Sequence, residues 1–147
     1  MPLRCPRCSG PLASERRGAT DVDACAACGG AWFDRGEVES AIAAADPKRP
    51  APAAGVEPEL RYLRCPRCDA PMTRRNWERI SGVVLDHCNA HGVWVDPHEL
   101  ERIVAFEASG GKKRRARKEA DELRIDLERE RARVATWARI EARMRRF

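Results

Sequence analysis

Short apolar stretches with helical spacing occur twice in this chain of 147 residues. Asp34 and Asp96 each precede a glutamate by three positions, which resembles a capping box with the aspartate as N-cap, and Pro97 fits a first helical position. The apolar residues that follow recur at i, i+3 and i+4, which predicts one amphipathic helix in each half. They are Val38, Ala41, Ile42 and Ala45, then Leu100, Ile103 and Val104.

The segments before these two helices contain turn residues between candidate strands. Arg17-Gly18 lies midway between Leu12 and Asp23. In the second half, Ser81-Gly82 precedes the β-branched run Val83-Val84-Leu85. This pattern predicts a β-hairpin before each helix.

The two halves are copies of one pattern. Cys5-Pro6-Arg7-Cys8 recurs as Cys65-Pro66-Arg67-Cys68, and the segment that begins at Trp32 recurs at Trp94. Each tryptophan has two interpretations, stacking on a nucleobase or packing in the core, and packing is favoured. The domain boundaries we expect are 1–45 and 63–108 for the copies, 46–62 for a Pro/Ala-rich linker, 109–118 for a basic linker and 119–147 for a charged helix.

Composition excludes a large hydrophobic core. Leu, Ile, Val and Phe together make up less than a fifth of the chain, whereas 35% of the residues are charged. The seven cysteines are therefore the candidates for supplying folding energy, through metal or disulfides. The sequence has no apolar run of membrane-spanning length and no leader-like N-terminus, so we expect a cytoplasmic protein in which cysteine pairs favour metal.

Eight residues form two sets with zinc-ligand spacing. Two C-x2-C pairs sixteen residues apart form the first set, and a C-x2-C pair with a C-x2-H pair forms the second. Among the histidines, His91 takes the place of the fourth cysteine, whereas His87 and His98 do not fit the repeat. Four ligands leave no open position, so we expect two structural Zn²⁺ ions. The predicted ligands are Cys5, Cys8, Cys25, Cys28, Cys65, Cys68, Cys88 and His91.

These motifs resemble the zinc ribbon of the transcription-factor-IIB type. The resemblance rests on the CPxC turn, the second ligand pair followed by glycine and tryptophan, and the acidic helix start, over residues 3–45 and 63–107. The resemblance implies that the chain binds zinc. The family's name also suggests a role in transcription. The fold class we expect is therefore a small metal-stabilised α+β protein: two tandem ribbons, each a hairpin followed by a short helix, plus a long C-terminal basic helix.

The C-terminal segment carries the positive charge of the chain. Residues 112–147 hold 14 basic and 7 acidic side chains, whereas residues 1–111 hold 14 and 16. Apolar residues from 116 to 144 recur in alternating steps of four and three, typical of a coiled coil, although a solvated single helix or one folded back on the ribbons also fits. The candidate phosphate-binding or partner-binding residues are Lys112, Lys113, Arg114, Arg115, Arg117 and Lys118.

Two functions fit this sequence. In the first, the protein associates with nucleic acid or the transcription machinery, with the ribbons as rigid platforms and the basic segment on phosphates. In the second, it is a protein-interaction adaptor that docks through the ribbons or the helix, and self-association is one form of this. We expect no enzyme activity, no membrane partner and no small-molecule substrate, since no catalytic set or open metal site is visible.

Overall fold

The computed structural model describes residues 2–46 and 61–146. The chain divides into two compact units, one ending at Gly111 and one beginning at Lys112. Nearly all of the predicted linker 46–62 lies outside the described residues. In the described part of the chain, no helix is long and apolar enough to cross a membrane.

The first repeat is a three-stranded antiparallel sheet followed by a helix. Strands β1 (Ala13–Arg17) and β2 (Thr20–Ala24) form a hairpin, β3 (Ala31–Asp34) pairs with β2, and α1 spans Glu37–Ala44. Gly18 takes φ of 64° in the two-residue turn, where a left-handed residue is needed. The predicted turn at Arg17-Gly18 is therefore confirmed.

The second repeat has the same order of elements. Strands β4 (Thr73–Asn76) and β5 (Val84–Cys88) form the hairpin, β6 (Gly92–Val95) pairs with β5, and α2 spans Glu99–Ala108. Its hairpin loop is longer, and the backbone N–H of Trp77 donates to the Val83 carbonyl, 2.8 Å away, at the loop base.

The two repeats share one six-stranded sheet of order β1-β2-β3-β6-β5-β4. Strands β3 and β6 pair antiparallel with Trp32 opposite Trp94, so equivalent residues meet at the centre of the sheet. Gly92 makes this pairing possible, because a Cβ there would lie 2.1 Å from the backbone oxygen of Phe33. The repeats are therefore two halves of one symmetric body.

The two faces of this sheet bury different clusters. Because strand side chains alternate, Phe33 and Val93 lie on the face opposite to Trp32 and Trp94. The Phe33 face packs against α1 and α2 through Val38, Ala41 and Ile103, as the helical spacing predicted. The tryptophan face packs against the cysteine turns through Leu12, Leu63, Met72, Cys5, Cys25 and Cys65.

The predicted helix caps are wrong in their N-cap residues. The N-caps are Gly36 and His98, both in the left-handed conformation and without a side-chain cap hydrogen bond. Pro97 therefore precedes the helix. Only half of each capping box is present: Glu99 Oε2 accepts from the backbone N–H of Asp96 at 2.8 Å, and Glu37 does the same for Asp34. The aspartate side chains are engaged elsewhere, as described below.

The second unit consists mainly of helix α3, which spans Gly111–Met144. Residues 109–118 are predicted to be a basic linker, whereas in the structure residues 111–118 are helical. The absence of Gly and Pro after Gly111, together with ion pairs of i,i+4 spacing such as Arg115–Glu119, accounts for the early start.

Candidate metal centres

The four cysteines of the first repeat converge on one point. The Sγ atoms of Cys8 and Cys25 lie 3.4 Å apart, and those of Cys5 and Cys28 lie 3.6 Å apart. All four sulfurs lie within 4.8 Å of one another. Cys5 and Cys25 are buried, whereas Cys8 is exposed.

Tight turns hold these sulfurs in place. After Cys5, the backbone N–H of Ser9 donates to the Cys5 carbonyl at 2.9 Å, and the N–H of Arg7 points at the Cys5 sulfur at 3.4 Å. After Cys25, Gly29 takes φ of 77° and its N–H donates to the Cys25 carbonyl. Backbone N–H groups aimed at the sulfur stabilise a thiolate. The turns are therefore shaped for thiolate ligands.

The second repeat gathers three cysteines and one histidine. The Nδ1 atom of His91 lies 3.5 Å from the Cys88 sulfur and 3.8 Å from the Cys65 sulfur, and the Cys68 and Cys88 sulfurs lie 3.8 Å apart. His91 is the histidine in this cluster; His87 lies on strand β5 and His98 is an exposed helix N-cap. The structure therefore brings His91, the histidine that the repeat indicates, together with the three cysteines.

Both groups fit a zinc ion. A tetrahedral site with Zn–S distances of about 2.3 Å has S–S edges of about 3.8 Å, close to the separations above. Three thiolates with one imidazole, like four thiolates, form a complete coordination sphere, and a catalytic zinc keeps one position open. The two groups therefore fit two structural zinc ions per chain.

The thiols differ in how readily they release their protons. Burial raises the pKa of Cys65 to about 11, and burial also raises the pKa of Cys5. In contrast, the backbone N–H of Cys28 lowers the pKa of Cys25 to about 7. Because zinc binds the thiolate, loading each site displaces protons, and acid favours metal release.

Trp32 and Trp94 are core residues. They are 1% and 0% exposed and belong to the cluster that contains Cys5, Cys25 and Cys65. Trp94 reaches across the repeat boundary, since a Cβ on Gly30 would lie 2.3 Å from its ring. These two rings cover the cysteine turns and are inaccessible to nucleobases, which confirms the packing interpretation.

Two reciprocal ion pairs join the metal centres, and the sequence interpretation missed them. The third residue of each CPxC turn, Arg7 or Arg67, forms a bidentate pair with the aspartate two residues after the other repeat's tryptophan, Asp96 or Asp34. The Arg67 nitrogens lie 2.7 and 2.6 Å from the Asp34 carboxylate. The sequence contained one indication of these pairs: the arginine and the aspartate both recur in the second repeat, although neither zinc binding nor core packing requires them.

The same aspartates anchor the tryptophan rings. Trp32 Nε1 donates to Asp34 at 2.9 Å, and Trp94 Nε1 donates to Asp96 at 2.8 Å. Each aspartate therefore connects the ring of its own repeat to the cysteine turn of the other. These contacts explain why the aspartates are not available as N-caps.

The arginines of the second ribbon do not form one basic face. Arg67 is engaged with Asp34 and Asp23, Arg64 with Asp69, and Arg75 with Asn89. Arg74 and Arg75 are neighbours on β4, so their side chains point to opposite faces of the sheet. The predicted basic residues Lys112 to Lys118 lie instead on the first turns of α3, where all except Arg115 are exposed.

Comparison with known proteins identifies the repeated unit. The model of the transcription factor zinc-finger family, a zinc ribbon of the transcription-factor-IIB type, matches residues 4–44 and again 64–105. These two matches cover both metal centres and more than half of the chain. Neither the curated proteins nor the solved structures gave a match.

Proposed function

Because the chain belongs to the transcription factor zinc-finger family, we propose that it is a nucleic-acid-associated, transcription-accessory protein. In this proposal the zinc-bound ribbon pair is a rigid platform, and the start of α3 contacts phosphates. The observation that carries the proposal is the cluster Lys112–Lys118, which has six basic residues among seven on a solvent-exposed helix.

The ribbon unit itself is poorly suited to phosphate. Residues 1–111 already have more acidic than basic side chains, and a Zn²⁺ ion with four thiolates adds two further negative charges. Arg7 and Arg67 are engaged by aspartates, and the two ribbon tryptophans are buried. Phosphate contact is therefore assigned to α3.

The arrangement of the basic residues favours binding that is independent of sequence. Seven successive helical residues make about two turns, so their side chains project around the whole circumference of the helix. Such a cluster meets phosphates from several directions but presents no single edge for reading bases. We therefore expect similar affinity for unrelated duplexes, with a steep dependence on salt.

The test is a salt titration of binding to a random-sequence DNA duplex and to an RNA duplex, followed by fluorescence anisotropy. Six phosphate contacts would give the steepest slope of log affinity against log salt, about −5 from roughly 0.9 per phosphate, and a smaller number of contacts gives a shallower slope. Neutralising the cluster to glutamine should bring this slope close to zero. The substituted residues are Lys112, Lys113, Arg114, Arg115, Arg117 and Lys118.

A matched control removes the same amount of charge from the C-terminal end of the chain, in and just after the last turns of α3. It should keep most of the salt dependence, and equal losses in both variants would contradict the assignment to the cluster. Undetectable binding at low salt, or binding that salt does not weaken, would overturn the nucleic-acid proposal. The control residues are Arg129, Arg133, Arg139, Arg143, Arg145 and Arg146.

A second candidate function is supported by a separate observation on α3. Large apolar side chains lie exposed along this helix, including Leu123 and Trp137, which are 62% and 63% exposed. Such residues favour a protein partner, as an interaction adaptor requires. Affinity purification from native cells with and without nuclease separates the two functions, because an adaptor keeps its protein partner after nuclease treatment.

A further inference from the structure

One side of α3 carries an apolar stripe, which Glu130 and Glu141 interrupt. Its large residues are between 51% and 72% exposed, although the rest of the helix is densely charged. A charged surface helix gains nothing from apolar side chains in water, whereas a helix that packs on a partner buries such a stripe. The large residues of the stripe are Leu123, Leu127, Val134, Trp137 and Met144.

The spacing of the stripe is that of a two-stranded coiled coil. Positions 116, 120, 123, 127, 130, 134, 137, 141 and 144 alternate steps of four and three, and all except Glu130 and Glu141 are apolar. In heptad notation, Ala120, Leu127 and Val134 are a positions, whereas Leu123 and Trp137 are d positions. The seam therefore runs for four heptads without a Gly or Pro.

The charged residues that flank the seam favour a parallel over an antiparallel orientation of the partner helix. In the first part of the seam the g positions are Glu119 and Asp126 and the e positions are Arg117, Arg124 and Arg131, whereas the later g positions Arg133 and Ile140 and the later e position Ala138 add no such pairs. In a parallel pair, g residues meet the e residues five positions later on the other helix. In an antiparallel pair, e residues meet e residues, which would place arginine against arginine.

We propose that α3 forms a parallel, in-register coiled coil with a second copy of this chain. Glu119 then faces Arg124 of the second copy, and Asp126 faces Arg131 of the second copy, on both sides of the seam. Glu130 and Glu141 are the costly seam positions. Arg133 of the same helix partly neutralises Glu130, with Nη2 2.9 Å from Glu130 Oε1. Charge complementarity therefore selects the second copy over an unrelated partner.

A parallel dimer has a consequence for the basic cluster. Because both helices begin at the same end, the two Lys112–Lys118 clusters lie side by side and double the local positive charge. Dimerisation is then expected to strengthen phosphate binding well beyond that of one chain. The dimer itself stands independently of the nucleic-acid proposal, since its evidence is the seam and its flanking charges.

The test measures the mass of the full zinc-loaded chain by light scattering and sedimentation over a range of concentrations. The expected result is twice the chain mass of 16.5 kDa. The double variant Leu127→Asp, Val134→Asp places two charges in the seam and should give monomer. Its control, Ile125→Asp with Ala132→Asp, adds the same charge at two f positions and should stay dimeric. Circular dichroism and zinc content verify that both variants fold.

Each other outcome overturns the proposal. A monomeric native chain would mean that the stripe is solvated or covered by the chain's own ribbons. A dimer that survives in the seam variant would mean that the copies associate through another surface. Equal disruption by the seam variant and its control would mean that added charge, and not the seam, breaks the dimer.

Orientation has its own test. A photoactivatable cross-linking amino acid replaces Ala120 in the full chain, and the covalent dimer is isolated and digested for mass spectrometry. A parallel, in-register pair joins position 120 to residues near 120 of the second copy. Cross-links to residues near 141 would show an antiparallel pair and would overturn the orientation. The Ala120 variant must first show the native dimer mass.

Discussion

The two repeats share a skeleton but differ in the surroundings of each shared part. The ion pair that Arg7 makes with Asp96 is the more buried, with side chains 19% and 10% exposed, whereas those of Arg67 and Asp34 are 35% and 42% exposed. One metal centre has four thiolates and the other has three with an imidazole. The pseudo-symmetric sheet therefore contains two versions of the ion pair and two versions of the metal centre, each in a different environment. Equivalent substitutions in the two repeats can therefore be compared directly.

The largest expected effect comes from the imidazole ligand that distinguishes the second centre. His91→Ala should reduce the zinc content of the purified chain from about two ions to about one, since a structural site provides roughly 10–16 kcal/mol of apparent binding free energy coupled to folding. His98→Ala is the matched control and should keep both ions, because His98 is exposed and outside the cluster. Two ions in His91→Ala would contradict the ligand assignment.

Cysteine variants extend this test to the first centre. Cys5→Ser and Cys65→Ser should each cause a worse folding defect than His98→Ala, because both cysteines are buried in the cluster shared by the two centres. A chelator should remove the structure of the ribbon unit, measured by circular dichroism of the strands. A ribbon unit that stays folded without metal would contradict the structural role of zinc.

The next effect compares the two bridging arginines. Arg7→Met should cost roughly 3–5 kcal/mol of unfolding free energy, because it leaves the Asp96 carboxylate buried without its cation. Arg67→Met should cost about 1 kcal/mol or less, since its partner reaches solvent. Urea unfolding at saturating zinc measures both variants, and equal costs would show that burial does not distinguish the two bridges.

A pH-dependent effect is expected at Glu99, which lies near the buried bridge. Burial raises the pKa of Glu99 to about 7 from 4.5. Between these values the folded chain holds a proton that the unfolded chain has lost, so this group's contribution to stability falls as the pH rises from about 4.5 to 7. Glu99→Gln should therefore gain roughly 1–3 kcal/mol over the native chain at pH 8.

The experiment at Glu99 compares the unfolding free energies of two chains at each pH. Zinc release in acid affects both chains equally and therefore cancels from the difference. Unfolding free energies of the native chain and Glu99→Gln are compared from pH 5 to 8, and the gap should widen as the pH rises. Glu39→Gln removes an exposed charge from α1 and should show no such trend. A constant gap would mean that Glu99 does not bind the proton in the folded state.

The smallest effects concern the N-caps, and they should have opposite signs. His98 holds φ of 69°, a conformation that glycine adopts without a Cβ penalty, so His98→Gly should stabilise the chain by up to about 1 kcal/mol. Gly36→Ala should destabilise it by about 1 kcal/mol, although no atom lies within 4 Å of the added Cβ. Thermal unfolding compares the two, and the same sign in both would contradict the backbone argument.

The metal ligands were predictable from the sequence because they act locally. A C-x2-C turn places two sulfurs on one ion by backbone geometry alone, and the repeat shows which histidine replaces the missing cysteine. The buried stripe on each helix was likewise visible, since helical periodicity reports the face that packs. Spacing alone predicted that His91 lies with the three cysteines and that Ile103 lies on the buried face of α2.

The junction between the repeats was beyond the sequence. Strands β3 and β6 pair through backbone hydrogen bonds. Because these backbone groups are nearly the same in every residue, the sequence of β3 does not show which distant strand it pairs with. The helix caps failed for a related reason: Asp34 and Asp96 have cap chemistry, but a stronger bidentate contact from the other repeat's arginine engages them. Contacts between residues far apart in sequence therefore determine both the pairing of the repeats and the choice of N-cap residues.

The pairing of β3 with β6 also affects how folding depends on protein concentration. A single ribbon would present β3 as an open edge of four residues, three of them buried in this structure, and would need another molecule to cover it. Because both halves are carried by one chain, the edge finds its complement by intramolecular closure. Dilution should therefore leave the six-stranded sheet intact, and a chain cut between its repeats should reassemble only as fast as its fragments meet.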